Sequence, residues 1–117
     1  MEPEEALRTK DLALEAPRPM DEELAGYAWV PRMIDKARAF DAGTLGDLVH
    51  PCPVDRKALG LLGIEAAAFR EIASSARTAG DVLAGLEAAG ARSAEEAWFD
   101  APAFEEALIG GSRAETA

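Results

Sequence analysis

Residues 26–56 read GYAWVPRMIDKARAFDAGTLGDLVHPCPVDR, and their punctuation sets the fold. Pro31 suits the first turn of a helix, where a missing N–H breaks no intrahelical bond. Gly43 suits the position just past a helix end. Between them Val30, Met33, Ile34, Ala37 and Phe40 recur at helical spacing, with Arg32, Asp35, Lys36 and Ala39 toward the other side. The spacing predicts a helix over 31–41. Residues 42–54, with Gly43, Gly46, Pro51 and Pro53, read as a loop. A second helix starts near Asp55 and stops at Gly63. A left-handed glycine there lets Ile64 fold back onto Leu59 in a Schellman-type end.

Outward from this block the signals remain helical. A helix over about 65–76 turns Ala68, Phe69, Ile72 and Ala76 inward. Thr78 caps a helix over 79–89 that Gly90 closes. Ser93 and Glu96 form a capping box that opens a helix carrying Trp98 and Phe99 as core anchors. Asp100 and Pro102 start a last helix ending at Gly110. On the N-terminal side, a short helical turn at Asp21–Ala25 stops at Gly26. β-branched residues are sparse and no segment alternates apolar and polar residues, so no strand is expected. The expected fold is all-α, a compact bundle of five to six short helices. Residues 1–20 form an extended arm packing on the body through Leu7, Leu12 and Leu14. Residues 21–110 form a single helical domain, and 111–117 a frayed tail.

Composition narrows the function. The net charge is −10 over 117 residues, and residues 61–117 carry most of it. The basic face that nucleic acid or an anionic membrane needs is missing. No apolar run approaches the roughly 20 residues of a bilayer span. A lone Cys52 excludes an internal disulfide and, with an acidic N-terminus unlike a secretory signal, makes a cytoplasmic location the expectation.

Two groups of residues carry chemistry. On the first helix Asp35 lies three residues from both Arg32 and Arg38, and Lys36 one turn beyond Arg32. These residues read either as a surface ion-pair network or as a held arginine fork able to meet a carboxylate or phosphate. The second group is His50-Pro-Cys52-Pro-Val-Asp55-Arg56. His50 is the natural acid–base group near neutral pH. Cys52 precedes a helix N-terminus, the end that favours an anionic sulfur, although single cysteines commonly serve as small buried apolar groups. Asp55 reads as the cap of its helix. His50 and Cys52 supply two ligands of the four that a closed zinc site needs, so no metal is expected, and no cofactor. Tyr27 and Trp29 read as core packing, with a ligand wall as the lesser reading. Gly43-Thr-Leu-Gly46 lacks the lysine of a phosphate loop.

The run Asp11-Leu12, Pro17-Arg18, Leu24, Gly26-Tyr27, Pro31-Arg32-x-Ile34-Asp35-Lys36-x-Arg38-Ala39, Gly43-Thr44-Leu45-Gly46, Cys52-Pro53-x-Asp55-Arg56, Leu62-Gly63-Ile64 resembles the bacterial family of unknown function DUF5069. The resemblance covers about residues 11–64 and implies a small, mostly helical protein with no reaction attached.

Three functions remain. The first is a small anionic ligand bound at a polar cleft of residues 27–56, by Tyr27, Arg32, Asp35, Lys36, Arg38, His50, Asp55 and Arg56. The second is a module whose polar block is structural and whose apolar face meets a protein partner or a second copy of the chain. The third is a small enzyme using His50 as acid–base and Cys52 as nucleophile or ligand.

Overall fold

The computed structural model describes the backbone of residues 1–116 and the side chains of residues 1–109. The helix predicted around Met33 forms as α1, Val30–Ala42, ending at Gly43 with φ 74°. It is followed by α2 (Pro53–Leu62), α3 (Ala66–Ser75), α4 (Ala79–Ala88) and α5 (Ala101–Thr116). The fold is thus mostly helical, with five helices among the described residues. The backbone of α5 carries on past Gly110, where a stop was expected. The frayed tail over 111–117 falls on residues whose side chains lie outside the described ones.

The α1 helix is the pillar of the core and packs on α3. Met33, Ile34 and Ala37 are fully buried with Phe69 and Ala73 of α3. Each large side chain among them stabilises the fold by about 1.5–3 kcal/mol. The opposite side of α1, expected to face solvent, is buried as well: Asp35, Lys36 and Ala39 are each less than 5 % exposed. Their partners come from elsewhere in the chain, so a polar face of the sequence became an inner face of the fold. Phe40 departs the other way. It is 42 % exposed and lies under the Arg70 guanidinium, 4.3 Å from the ring centre. Ala68 is likewise exposed, and Ala73 takes its inward place on α3.

The helix ends follow local chemistry. Gly63, at φ 76°, and Ile64 both donate to the Leu59 carbonyl, at 2.8 and 3.1 Å, and Ile64 is buried beside Leu59. Thr78 and Asp81 form a reciprocal capping box at the start of α4. Two arginines cap carbonyl ends from a distance. Arg38 donates to Ala73 and Ala76 at the end of α3, and Arg92 to Gly60 and Leu61 at the end of α2.

Three local expectations are corrected. Instead of a helical turn at Asp21–Ala25, β1 (Glu23–Leu24) and β2 (Tyr27–Ala28) form a small antiparallel hairpin. Its turn holds Ala25 and Gly26 at φ 48° and 84°, the paired positive values of a tight hairpin. Ser93 and Glu96 do exchange their capping hydrogen bonds, yet residues 94–97 make only one turn. Asp100, which accepts from the Ala103 N–H, begins the next helix immediately afterwards. Trp98 is therefore 52 % exposed rather than a core anchor, whereas Phe99 is buried.

Residues 1–20 run irregularly across the body. Ala6 bridges to Thr78, and Leu12 donates to the Thr44 carbonyl at 2.8 Å. Leu12 is buried and Leu7 partly so, but Leu14 is 84 % exposed. The Asp11 carbonyl accepts from the amides of both Leu14 and Glu15, and this turn swings Leu14 outward. Gly46 is where the loop meets the arm. A Cβ there would lie 2.9 Å from the Ala13 backbone, so the second glycine of Gly43–Gly46 serves close approach.

Candidate functional site

Asp55 is the hub. The sequence suggested it as the cap of α2, but Cys52 holds that position and Asp55 is the third helical residue. The two form a capping box in which Asp55 Oδ2 accepts from the Cys52 N–H at 2.9 Å. Cys52 Sγ in turn accepts from the Asp55 N–H at 3.4 Å. Proline at the first helical position leaves that end one donor fewer to satisfy.

The Asp55 carboxylate is fully buried and accepts three further bonds. Lys36 Nζ donates to Oδ2 at 2.7 Å, His50 Nδ1 at 3.0 Å, and Trp29 Nε1 donates to Oδ1 at 2.7 Å. Burial pushes the carboxyl upward. The hydrogen bond from His50, the charge and hydrogen bond of Lys36, and the Cys52 amide together outweigh it and hold Asp55 well below the usual carboxylate range. Lys36 Nζ also reaches Cys52 Sγ at 3.2 Å. The ammonium thus sits between sulfur and carboxylate. Trp29 is held at φ 70°, a rare conformation for a bulky residue. Its indole is buried and anchored on Asp55, which fixes the entry into α1.

His50 is buried and stands edge-on to Phe40, ring centres 6.0 Å apart. Its Nε2 has no partner among the described residues. Ionised Asp55 can only accept, so Nδ1 carries the hydrogen and, in the neutral ring, Nε2 is a bare acceptor. Cys52 is half-buried. The donors recorded at its sulfur are Lys36 and the Asp55 amide, not His50.

The other residues marked from the sequence go elsewhere. Asp35 Oδ2 accepts from Lys10 Nζ at 2.8 Å and the Arg18 amide at 2.9 Å, rather than pairing with Arg32 or Arg38. Arg32 donates to the Arg18 carbonyl and lies over the Trp29 ring. Arg38 serves α3, and Tyr27 Oη donates to the Arg92 carbonyl at 2.8 Å. Arg56 is exposed. The structure therefore brings together Lys36, His50, Cys52 and Asp55 and leaves Tyr27, Arg32, Asp35, Arg38 and Arg56 outside that cluster. Trp29 belongs to it and Arg70 borders it through Phe40. Arg70 was not singled out from the sequence, and Trp29 was read as core packing with a ligand wall as the lesser reading, though a buried indole N–H always demands an acceptor.

No helix among the described residues is long and apolar enough to cross a membrane. A search of curated proteins finds no match to the chain. The model of the family described as "Domain of unknown function (DUF5069)" matches residues 14–105. That span extends the resemblance from the central block through α3 and α4 into α5, and the chain belongs to the DUF5069 family.

Proposed function

We propose that the domain binds a small anionic ligand beside His50, at the surface marked by Phe40, Arg70 and Cys52. The observation that carries this reading is the unpartnered Nε2 of a histidine only 4 % exposed. A buried polar atom without a partner costs about 1–3 kcal/mol, and such sites invite an explanation. An oxyacid that carries both a hydroxyl and an anionic oxygen meets either form of the ring. Its O–H donates to neutral Nε2, or its anionic oxygen accepts from the imidazolium. Arg70, stacked on Phe40, adds a guanidinium fork suited to a carboxylate or phosphate. Because Nε2 is buried, Phe40 or a neighbour shifts on binding. Lys36 and Asp55 set the ring's orientation from behind and do not touch the ligand.

A thermal-shift titration with inorganic phosphate and a panel of small hydroxycarboxylates, at constant ionic strength, tests this. An anion at ten times its Kd adds about 1.4 kcal/mol, or about 5 °C in Tm for a domain this size. Arg70→Ala is expected to remove most of that rise. No rise with any anion, or the same rise in Arg70→Ala, overturns the reading.

The second reading is a structural lock within an interaction module. It is favoured by the four donors that saturate Asp55, a pattern complete without a ligand. On that reading His50→Gln leaves every anion response unchanged, and light scattering at rising concentration shows self-association or pull-down a partner.

A further inference from the structure

A separate cavity of about 200 Å³ lies between the hairpin and the start of α5. Its walls include Trp29, Trp98 and Phe99, and its rim holds the exposed carboxylates of Asp21, Glu23 and Asp100. No lysine or arginine lines it among the described residues. We propose that this cavity is a binding site for a small organic cation, an alkylated ammonium head group.

The aromatic walls are not equivalent. Trp29 is buried, and Arg32 and Lys36 already lie over its ring at 5.5 and 5.9 Å. Trp98 is half exposed and offers the open aromatic surface. Its Nε1 donates to Glu23 Oε2 at 2.9 Å, which fixes the indole against the hairpin and keeps a carboxylate beside it. A π-face with a carboxylate at its edge attracts a weakly hydrated cation through its quadrupole and through charge together.

The N-terminus of α5 also borders the cavity, and a free helix N-terminus would favour an anion instead. Here three of its first four donors are withdrawn, the Ala101 N–H excepted. Pro102 has no N–H, the Ala103 N–H is taken by Asp100 Oδ1 at 3.1 Å, and the Phe104 N–H by the Asp100 carbonyl at 2.9 Å. What that end presents is the exposed Asp100 carboxylate, with the Ala101 N–H as its one remaining donor. The volume lies below the roughly 300–1,000 Å³ of sites for drug-sized molecules, which suits one head group rather than an extended ligand.

The test is a titration of the full chain with choline chloride, followed by two-dimensional amide NMR and tryptophan fluorescence. Sodium chloride at equal ionic strength and 3,3-dimethylbutan-1-ol, choline's uncharged isostere, are the controls. Choline is expected to give saturable shifts centred on Glu23, Trp98 and Ala101. Trp98→Ala is expected to weaken binding about tenfold, and Asp21→Asn, at an exposed position, about threefold. Equal binding of the uncharged isostere, equal shifts with sodium chloride, or wild-type affinity in folded Trp98→Ala overturns the proposal.

Discussion

Replacing Asp55 by asparagine keeps the shape of the hub and removes its charge. In the native protein Lys36 Nζ, whose side chain is 4 % exposed, rests on Asp55 Oδ2 and on Cys52 Sγ. After Asp55→Asn the ammonium keeps only the sulfur and neutral dipoles. Breaking a buried pair this way costs about 3–5 kcal/mol. A domain of this length has about 6–18 kcal/mol of total stability, so the loss is a large share. Lys36→Met is expected to cost less, about 2–3 kcal/mol, because the stranded carboxylate still accepts from Trp29, His50 and the Cys52 amide. The double variant should recover about 2 kcal/mol relative to the sum of the singles. Urea unfolding measures all three. With a slope of about 1–3 kcal/mol per molar, Asp55→Asn moves the midpoint down by about 2 M. A loss below about 1 kcal/mol, typical of an exposed pair, or strict additivity in the double variant, would refute the reasoning.

The acid limb of stability should carry the same signature. Asp55 titrates in the folded protein well below its unfolded value of about 3.9, so its contribution is whole above about pH 4 and drains as pH falls toward the folded value. The stability gap between wild type and Asp55→Asn is therefore expected to narrow as pH falls below 4, measured by urea midpoints across the acid range. Gly46→Ala should cost about 1–3 kcal/mol and speed limited proteolysis within residues 1–20, because the new methyl meets the Ala13 backbone. Arg38→Ala should lower stability by about 1–2 kcal/mol by freeing the Ala73 and Ala76 carbonyls, while leaving any anion-dependent rise in Tm intact. Cys52, half-buried at a helix N-terminus, should be alkylated by iodoacetamide in the native protein; reaction only past the urea midpoint would remove the thiol from consideration.

What was legible in the sequence was what depends on neighbours in the chain. Gly43, Gly63 and Gly90 end helices because each takes a positive φ, a property of the residue itself. The Thr78 cap was legible for the same reason, the amide it accepts from lying three residues on. The interior of α1 was legible on one side only. The buried state of Lys36 rests on Asp55, nineteen residues away, and that of Asp35 on Lys10, twenty-five away, so local spacing suggested a solvated face. Likewise Arg38 found carbonyls of another helix rather than the nearby Asp35. The hairpin was hidden because its turn needs Ala25, a residue with a Cβ, at positive φ, a conformation its own propensity disfavours. Ser93 and Glu96 show the limit of a motif: the capping bonds form, but a single turn cannot propagate before Asp100 starts anew.

The Lys36–Asp55 contact also constrains how this sequence can vary between generations. Losing either residue first strands a charge in the interior, so the path to an apolar pair at these positions runs through an intermediate less fit than both ends. Exposed acids such as Glu95 and Glu106 face no such barrier and are free to drift one at a time. Positions 36 and 55 are therefore expected to be inherited as a unit, retained together or exchanged together.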